Sequence, residues 1–236
     1  MNKFIFDVDG TLTPSRSAID KRFAVWFRKF CLTKNVYLVT GSDYPKTLEQ
    51  LGESICMSVN RIYNCSGNDV RENGINVRTN EWVLPEDAHG WLSEQLSASA
   101  FSIRTGLHFE HRPGMVNFSI VGRNANTEQR KMYVSWDKRY NERDLIAHNF
   151  NIVFPELEAR PGGETGIDIA PKGFDKSQIL QDFEDTDRII FFGDRMDEDG
   201  NDYPLAQANK KGVNYHVTGW QHTWEILRNE YSTNRL

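Results

Sequence analysis

Apolar residues run unbroken through Phe4-Ile5-Phe6. They then recur at helical spacing as Phe23, Trp26, Phe27 and Phe30. This change of period predicts a strand over 3–8 and a helix over 18–33 whose aromatic stripe packs into a core. A second strand is predicted from Val36 to Val39. Gly41-Ser42-Asp43 leads into a helix from about Tyr44, with Pro45 in its first turn. Arg61-Ile62-Tyr63 gives a third, short strand. A β-α-β-α-β run of this kind predicts a parallel sheet with helices on both faces.

Near residue 75 the pattern changes. Asn73-Gly74 signals a hairpin. A helix is predicted at about 86–98, extended segments at 101–111 and 115–121, and a long polar helix over 126–149. Further strands are predicted near 151–160 and 165–170. Alternation then resumes with a helix at 174–184, an apolar strand Arg188-Ile189-Ile190-Phe191-Phe192, a short strand from Val213 to Val217 and a helix near 220–229. Trp220 and Trp224, four apart, read as packing residues. There is no internal repeat and no low-complexity linker. The expected fold is α/β: a doubly wound, Rossmann-like core built from 1–78 and 174–236, with 79–173 inserted as an antiparallel sheet plus helices.

Composition narrows the function. The 236 residues suffice for one large domain or two modest ones, and hydrophobic content is ordinary for a globular protein. The net charge of -5, with no basic run, excludes nucleic acid as the expected partner. The chain enters a strand at once, so neither a signal peptide nor a membrane span is expected. Cys31, Cys56 and Cys65 lack metal-ligand spacing, and so sparse a set suits a reducing cytoplasm. His108 and His111 fall on opposite faces of an extended segment, and nothing completes a zinc site there.

The chemistry sits at strand ends. Asp7-Val8-Asp9-Gly10-Thr11-Leu12-Thr13 places two carboxylates two residues apart behind an apolar strand. Like charges this close call for a cation or a shared proton. Mg²⁺ takes oxygen ligands and keeps positions open for a phosphate. This reads as a phosphoryl-transfer site with Asp7 as nucleophile and Asp9 as acid/base, against the plainer alternative of an acidic turn. The acidic run Gly193-Asp194-Arg195-Met196-Asp197-Glu198-Asp199-Gly200-Asn201-Asp202 follows another apolar strand. In an open parallel sheet, sites form beyond the carboxyl ends of the strands, so Asp7 and Asp194 are expected around one metal ion. Asp202 is the next candidate, either as a ligand or as a partner of Lys176. Lys176 opens a segment where it can neutralise a phosphoryl group, or else stand solvated on a helix. Thr40-Gly41-Ser42-Asp43 ends a strand and opens a helix, where N–H groups favour phosphate. Either Thr40 or Ser42 can supply the hydroxyl.

Asp7-Val8-Asp9-Gly10-Thr11, Thr40/Ser42, Lys176 and Gly193-Asp194 resemble, in order, the four motifs of the haloacid dehalogenase superfamily. The chain resembles the eukaryotic-type phosphomannomutases of that superfamily more closely still. The likeness spans nearly its whole length, and its most specific stretch is Arg112-Pro113-Gly114-Met115-Val116-Asn117-Phe118-Ser119-Ile120-Val121-Gly122-Arg123. The resemblance implies interconversion of mannose 6-phosphate and mannose 1-phosphate through an aspartyl-phosphate. It implies Mg²⁺ held by Asp7, the Asp9 carbonyl and Asp194, a hexose 1,6-bisphosphate activator, and a homodimer through the inserted segment. Arg112, Arg123 and Arg130 are expected to bind the non-reacting phosphate, because guanidinium matches phosphate oxygens bidentately. The resemblance adds Arg16 and Asp168 as substrate contacts. Two departures stand out. Gly166 replaces the family's usual serine, which removes a hydroxyl and is expected to open the pocket slightly. Leu205-Ala206-Gln207-Ala208 does not match the family's second cation site. The rival readings are a sugar-phosphate phosphatase of the same superfamily and a non-catalytic phosphosugar-binding protein.

Overall fold

The computed structural model describes residues 1–198 and 200–232. The chain divides into two compact units, Met1–Thr79 with Gly173–Leu236, and Asn80–Lys172.

The first unit is built on β1 (Asn2–Phe6), α1 (Lys21–Cys31), β2 (Asn35–Val39), α2 (Tyr44–Leu51), α3 (Glu53–Cys56), β3 (Arg61–Asn64), β4 (Asp69–Glu72) and β5 (Ile75–Thr79). After the second unit, which supplies the elements between, it is completed by β10 (Arg188–Gly193), α7 (Tyr203–Ala208), β11 (Val213–His216) and α8 (Trp220–Ile226). Its seven strands lie in the order β11-β10-β1-β2-β3-β4-β5. The first five run parallel and the β4–β5 hairpin closes the edge antiparallel. Both faces are covered, which is why the central strands read as continuous apolar runs. Phe4, Phe6, Ile190 and Phe192 pack with Phe23, Phe27 and Phe30 of α1, with Trp220 and Trp224 of α8 partly buried against them. Ile5, Ile189 and Phe191 pack on the opposite side with Ile179 and Leu205.

Boundaries shift for local reasons. Helix α1 starts at Lys21 because the Asp20 carboxylate accepts from the N–H groups of Arg22 and Phe23. The helix expected at 174–184 is a 3₁₀ segment, Lys176–Asp182, capped by Asp175. The last helix passes into a π-turn at Leu227–Tyr231. Leu205 is buried in the core of α7, at the place where the sequence offers no second cation site.

The second unit comprises α4 (Glu86–Ala98), β6 (Phe109–Arg112), β7 (Met115–Phe118), α5 (Thr127–Tyr140), α6 (Glu142–Val153), β8 (Leu157–Gly162) and β9 (Gly166–Pro171). Its antiparallel sheet has the order β6-β7-β9-β8. Val116, Phe118, Ile167, Ile169 and Ala159 form the apolar face, packed with Ala88, Leu92, Tyr133, Ile146 and Phe150 of the three helices. The alternate positions Glu110, Asn117, Asp168 and Arg160 align across the four strands in register, so they share the other face. The single polar helix expected over 126–149 is two helices, broken where Asn141 adopts a left-handed conformation. Residues 151–153 therefore end α6, and the strand expected near 151–160 starts at Leu157. Residues 101–108 lie outside any strand. His108 precedes β6 and its ring Nδ1 bonds the Ser119 carbonyl at 2.8 Å.

Candidate active site

Parallel pairing sets the site. Phe6 stands opposite Phe192, and the Asp7 N–H donates to the Phe192 carbonyl at 2.9 Å. The ends of β1 and β10 are thereby level, and Asp7 and Asp194 emerge at the same edge. Chain reversal after Asp7 is tight: the Gly10 N–H donates to Thr13 O at 2.9 Å, and those of Leu12 and Thr13 donate to Val8 O. Gly10 has φ +76, and a Cβ on it would overlap the Asp194 carboxylate. Glycine here lets the second acidic strand end approach the first.

Lys176 is fully buried. Its Nζ donates to Asp7 Oδ1 at 2.6 Å and to Asp202 Oδ1 at 2.7 Å. Asp202 is equally buried, and its Oδ2 accepts from the Arg195 N–H at 3.1 Å. The lysine alternative of a solvated helix position is thus replaced by a buried bridge. Oxygen atoms of Asp7, Asp194 and Asp202 all lie within 4.8 Å of one another. Burial pushes the Asp7 carboxyl well above the usual carboxylate range; Lys176 opposes this, and Asp202 and Asp194 add to it. Asp194 is raised by its own burial and then by Asp202. Burial disfavours the Lys176 cation, but the charges of Asp202 and Asp7 outweigh that and raise it. One lysine does not balance three clustered carboxylates. The all-oxygen donor set fits a hard divalent cation such as Mg²⁺. Asp199 lies outside the described residues.

Asp9 is separate from this trio in its bonding. Its Oδ1 accepts from the Arg16 N–H at 2.6 Å and from Gln50 Nε2 at 2.9 Å, and its Oδ2 from Ser42 Oγ at 3.4 Å. Arg16 has φ +56 and reaches Asp9 through its backbone. Thr40 is buried, and its Oγ1 accepts from the Ser42 N–H at 3.1 Å. N–H groups of Cys65 and Ser66, just past β3, hold the carbonyls of Ser42 and Thr40. Asp43 caps α2 through the Lys46 N–H. Gln50 carried no signal in the sequence, being a lone glutamine on an amphipathic helix.

In the second unit, Glu110 bridges Arg112, at 3.0 Å from Nη2, and Arg123 through its Nε. Burial alone would raise the Glu110 carboxyl; the two guanidiniums overcome it and hold it below the ordinary value. Two of the three expected arginines thus meet on one acid. Arg130 has a different partner, Glu164, at 3.1 Å. Asp168 accepts from Asn117 Nδ2 at 2.6 Å. Burial raises the Asp168 carboxyl, against the pull of Asn117, Arg112 and Arg123. Gly166 opens no extra space: a Cβ there would overlap the Asn117 amide. Glu110 escaped the sequence reading because it lies just before the Arg112–Arg123 stretch as an ordinary polar strand residue, and Asn117 because it sits inside that stretch as a neutral amide. Among the described residues, no helix is long and apolar enough to cross a membrane.

The profile of the family described as eukaryotic phosphomannomutase matches residues 24–233. Over 235 residues the chain is 30% identical to a phosphomannomutase of Dendrobium officinale, covering 94% of this chain and 90% of the relative. Over 240 residues it is 31% identical to a phosphomannomutase of Saccharomyces cerevisiae, covering 94% and 91%. Its fold is similar to that of a haloacid dehalogenase-like hydrolase from Bacteroides thetaiotaomicron, with a TM-score of 0.56 at 14% identity, covering 91% of this chain and 88% of that one.

Proposed function

The chain belongs to the eukaryotic phosphomannomutase family, and on that premise we propose that it interconverts mannose 6-phosphate and mannose 1-phosphate through a phosphorylated Asp7. The observation that carries the reading is the buried bridge from Asp7 through Lys176 to Asp202, with Asp194 beside it. It presents a carboxylate oxygen as nucleophile next to a fixed cation, at the strand ends of an open α/β sheet.

Asp7 attacks the phosphorus of a bound phosphoryl group, and the bond to the sugar oxygen breaks. Asp9 protonates the departing oxygen and, in the return half-reaction, takes the proton from the hydroxyl that attacks the aspartyl-phosphate. Lys176 offsets charge on Asp7 and the phosphoryl oxygens. The Thr40–Ser42 turn offers N–H and hydroxyl donors to the same oxygens. Asp7, the Asp9 carbonyl, Asp194 and Asp202 are the groups that would hold Mg²⁺. The ion would supply neutralising charge on the transferred phosphoryl group. Arg112 and Arg123, with Arg130, take the phosphate that does not react, each charged hydrogen bond contributing roughly 1.5–3 kcal/mol. Asp168 accepts from a sugar hydroxyl, and Arg16 adds a further substrate contact. An unphosphorylated Asp7 must first be charged, so a hexose 1,6-bisphosphate is the activator. Family membership also supports a homodimer formed through Asn80–Lys172 and a cytoplasmic location.

Phosphorus-31 NMR of the protein with Mg²⁺ and mannose 1-phosphate tests the reading, with and without glucose 1,6-bisphosphate. The expected result is a 6-phosphate signal that grows only with the bisphosphate. Inorganic phosphate as the main product would make the chain a phosphatase instead. Asp7→Asn is expected to abolish turnover and to leave ligand-induced thermal stabilisation largely intact.

A further inference from the structure

Just past β3, two neighbouring residues other than glycine hold a left-handed conformation. Cys65 has φ 47 and Ser66 φ 58, and Gly67 follows with φ 100. A side chain with a Cβ disfavours that region, and the conformation persists only where its surroundings over-determine it. The surroundings here are specific. The Cys65 N–H donates to the Ser42 carbonyl at 2.9 Å, and the Ser66 N–H to the Thr40 carbonyl at 2.8 Å. Both strained residues are thus fastened to the turn that offers donors to the transferred phosphoryl group.

Their own carbonyls are taken by two side-chain amides. Asn68, 1% exposed, donates from Nδ2 to Cys65 O at 2.8 Å. Gln178 donates from Nε2 to Ser66 O at 2.9 Å and to Asn68 Oδ1 at 3.3 Å. Gln178 lies two residues beyond Lys176 in the same 3₁₀ segment. A Cβ at Gly67 would stand 3.0 Å from both Gln178 Cγ and Ile179 Cγ2, so glycine there lets the segment pack against the turn. A continuous strut results. Lys176 bonds Asp7 and Asp202, Gln178 bonds Ser66, Ser66 bonds Thr40, and the Ser42 hydroxyl donates to Asp9 Oδ2 at 3.4 Å.

We propose that Gln178 is a positioning residue for phosphoryl transfer. By holding Ser66 in its left-handed conformation it sets the Thr40–Ser42 turn, and through that turn Asp9, relative to Lys176. This rests on the reaction proposed above. Gln178 acts through Ser66, so its effect depends on the residue at 66. A glycine there adopts the left-handed conformation without strain and needs no amide to hold it.

The test is steady-state kinetics of the full-length chain with Mg²⁺, glucose 1,6-bisphosphate and mannose 1-phosphate, with thermal melts recorded alongside. Gln178→Met keeps a side chain of similar length against Gly67 and removes the donor. It is expected to lower kcat roughly three- to ten-fold, the scale of one hydrogen bond. KM should not change, because the phosphate that does not react is held by Arg112 and Arg123. Ser66→Gly should turn over like wild type, and Gln178→Met/Ser66→Gly should recover most of what Gln178→Met loses. A purely structural role would lower the melting temperature of Gln178→Met and leave the kcat of the folded protein unchanged, and that result overturns the proposal. So does a rise in KM at constant kcat, or a double variant as slow as Gln178→Met, which would mean that the amide acts elsewhere than through Ser66. Should Gln178→Met fail to fold, Gln178→Glu, of equal size and without the donor, is read by the same criteria. A wild-type chain that transfers no phosphoryl group overturns the functional reading, and the proposal with it. Wild-type turnover that Gln178→Met leaves unchanged overturns the proposal alone.

Discussion

A lysine with no exposed surface survives in a core only where carboxylates meet it on more than one side, and Lys176 has Asp7 and Asp202. Replacing it by Met leaves those two carboxylates and Asp194 facing one another without a cation. In metal-free buffer Lys176→Met should lower unfolding free energy by roughly 3–5 kcal/mol, read from urea denaturation. An unchanged midpoint would mean the bridge contributes nothing net. The same reasoning gives a pH signature at Asp182, away from the site. It accepts from Arg61 and, bidentately, from Arg78. Burial alone would raise its carboxyl; the bonds from Arg78 and Tyr63, and the charges of Arg78 and Arg61, bring it below the ordinary value. A lowered folded-state value stabilises above the unfolded value, near 3.8, and the gain disappears as pH falls through the folded one. Asp182→Asn should therefore cost roughly 1.5–3 kcal/mol at pH 7, with the gap to wild type closing on acidification below about pH 4. A gap independent of pH would remove the ionic explanation. These residues also show what a sequence discloses at this scale. Asp7, Asp9, Lys176 and Asp194 were legible because acids and a lysine at the ends of apolar strands need a chemical reason. Gln50, Glu110 and Asn117 were not, because a neutral amide or a surface glutamate is unremarkable until its partner is known.

Between residues and domains, the deciding events are where elements stop. Helices α5 and α6 read as one polar helix because nearly every residue across 126–149 is compatible with one. Only Asn141 marks the break, with φ 51 and ψ 36. The restart is held by Asp137, whose carboxylate accepts the Arg143 N–H at 2.9 Å and its Nε at 2.8 Å. A β-branched residue is the least able to take a left-handed conformation. Asn141→Val should cost roughly 1–2 kcal/mol, whereas Asn141→Gly should be close to neutral. Equal urea midpoints for the two variants would show that the turn at 141 relaxes freely. The 3₁₀ segment at Lys176–Asp182 is a similar case. Its periodicity suits an α-helix, but Gln178 donates to the Ser66 carbonyl and Lys176 is drawn to two carboxylates. These tertiary bonds fix the backbone against its local preference. Strand positions were easier, because burial on both faces leaves an unbroken apolar signature in β1 and β10.

At the scale of the whole chain, the alternation of strand and helix at both ends, interrupted by an antiparallel stretch, makes the two architectures visible in the sequence. The two units differ in how chain order supplies them. Met1–Thr79 and Gly173–Leu236 share one sheet, joined where β1 pairs with β10, so neither segment can complete its core alone. Asn80–Lys172 is continuous, owns every strand of its sheet, and buries Phe118, Phe150, Tyr133 and Ile169 within itself. A segment of this size with its own core is within the range that folds independently. Expressed by itself, Asn80–Lys172 should melt in one cooperative transition by circular dichroism. Its Arg112, Arg123 and Asn117 amide signals should shift on adding inorganic phosphate, with the shifts shrinking as salt rises. Either segment of the other unit alone should show no transition. A fragment that lacks a cooperative melt would mean the core of the second unit is insufficient without the rest of the chain. A folded fragment indifferent to phosphate would place the anion-binding strength of the arginines elsewhere than in their own unit. Both results would be informative because the Glu110 bridge already holds Arg112 and Arg123 on one acid, so the fragment needs no ligand to bring the two guanidiniums together.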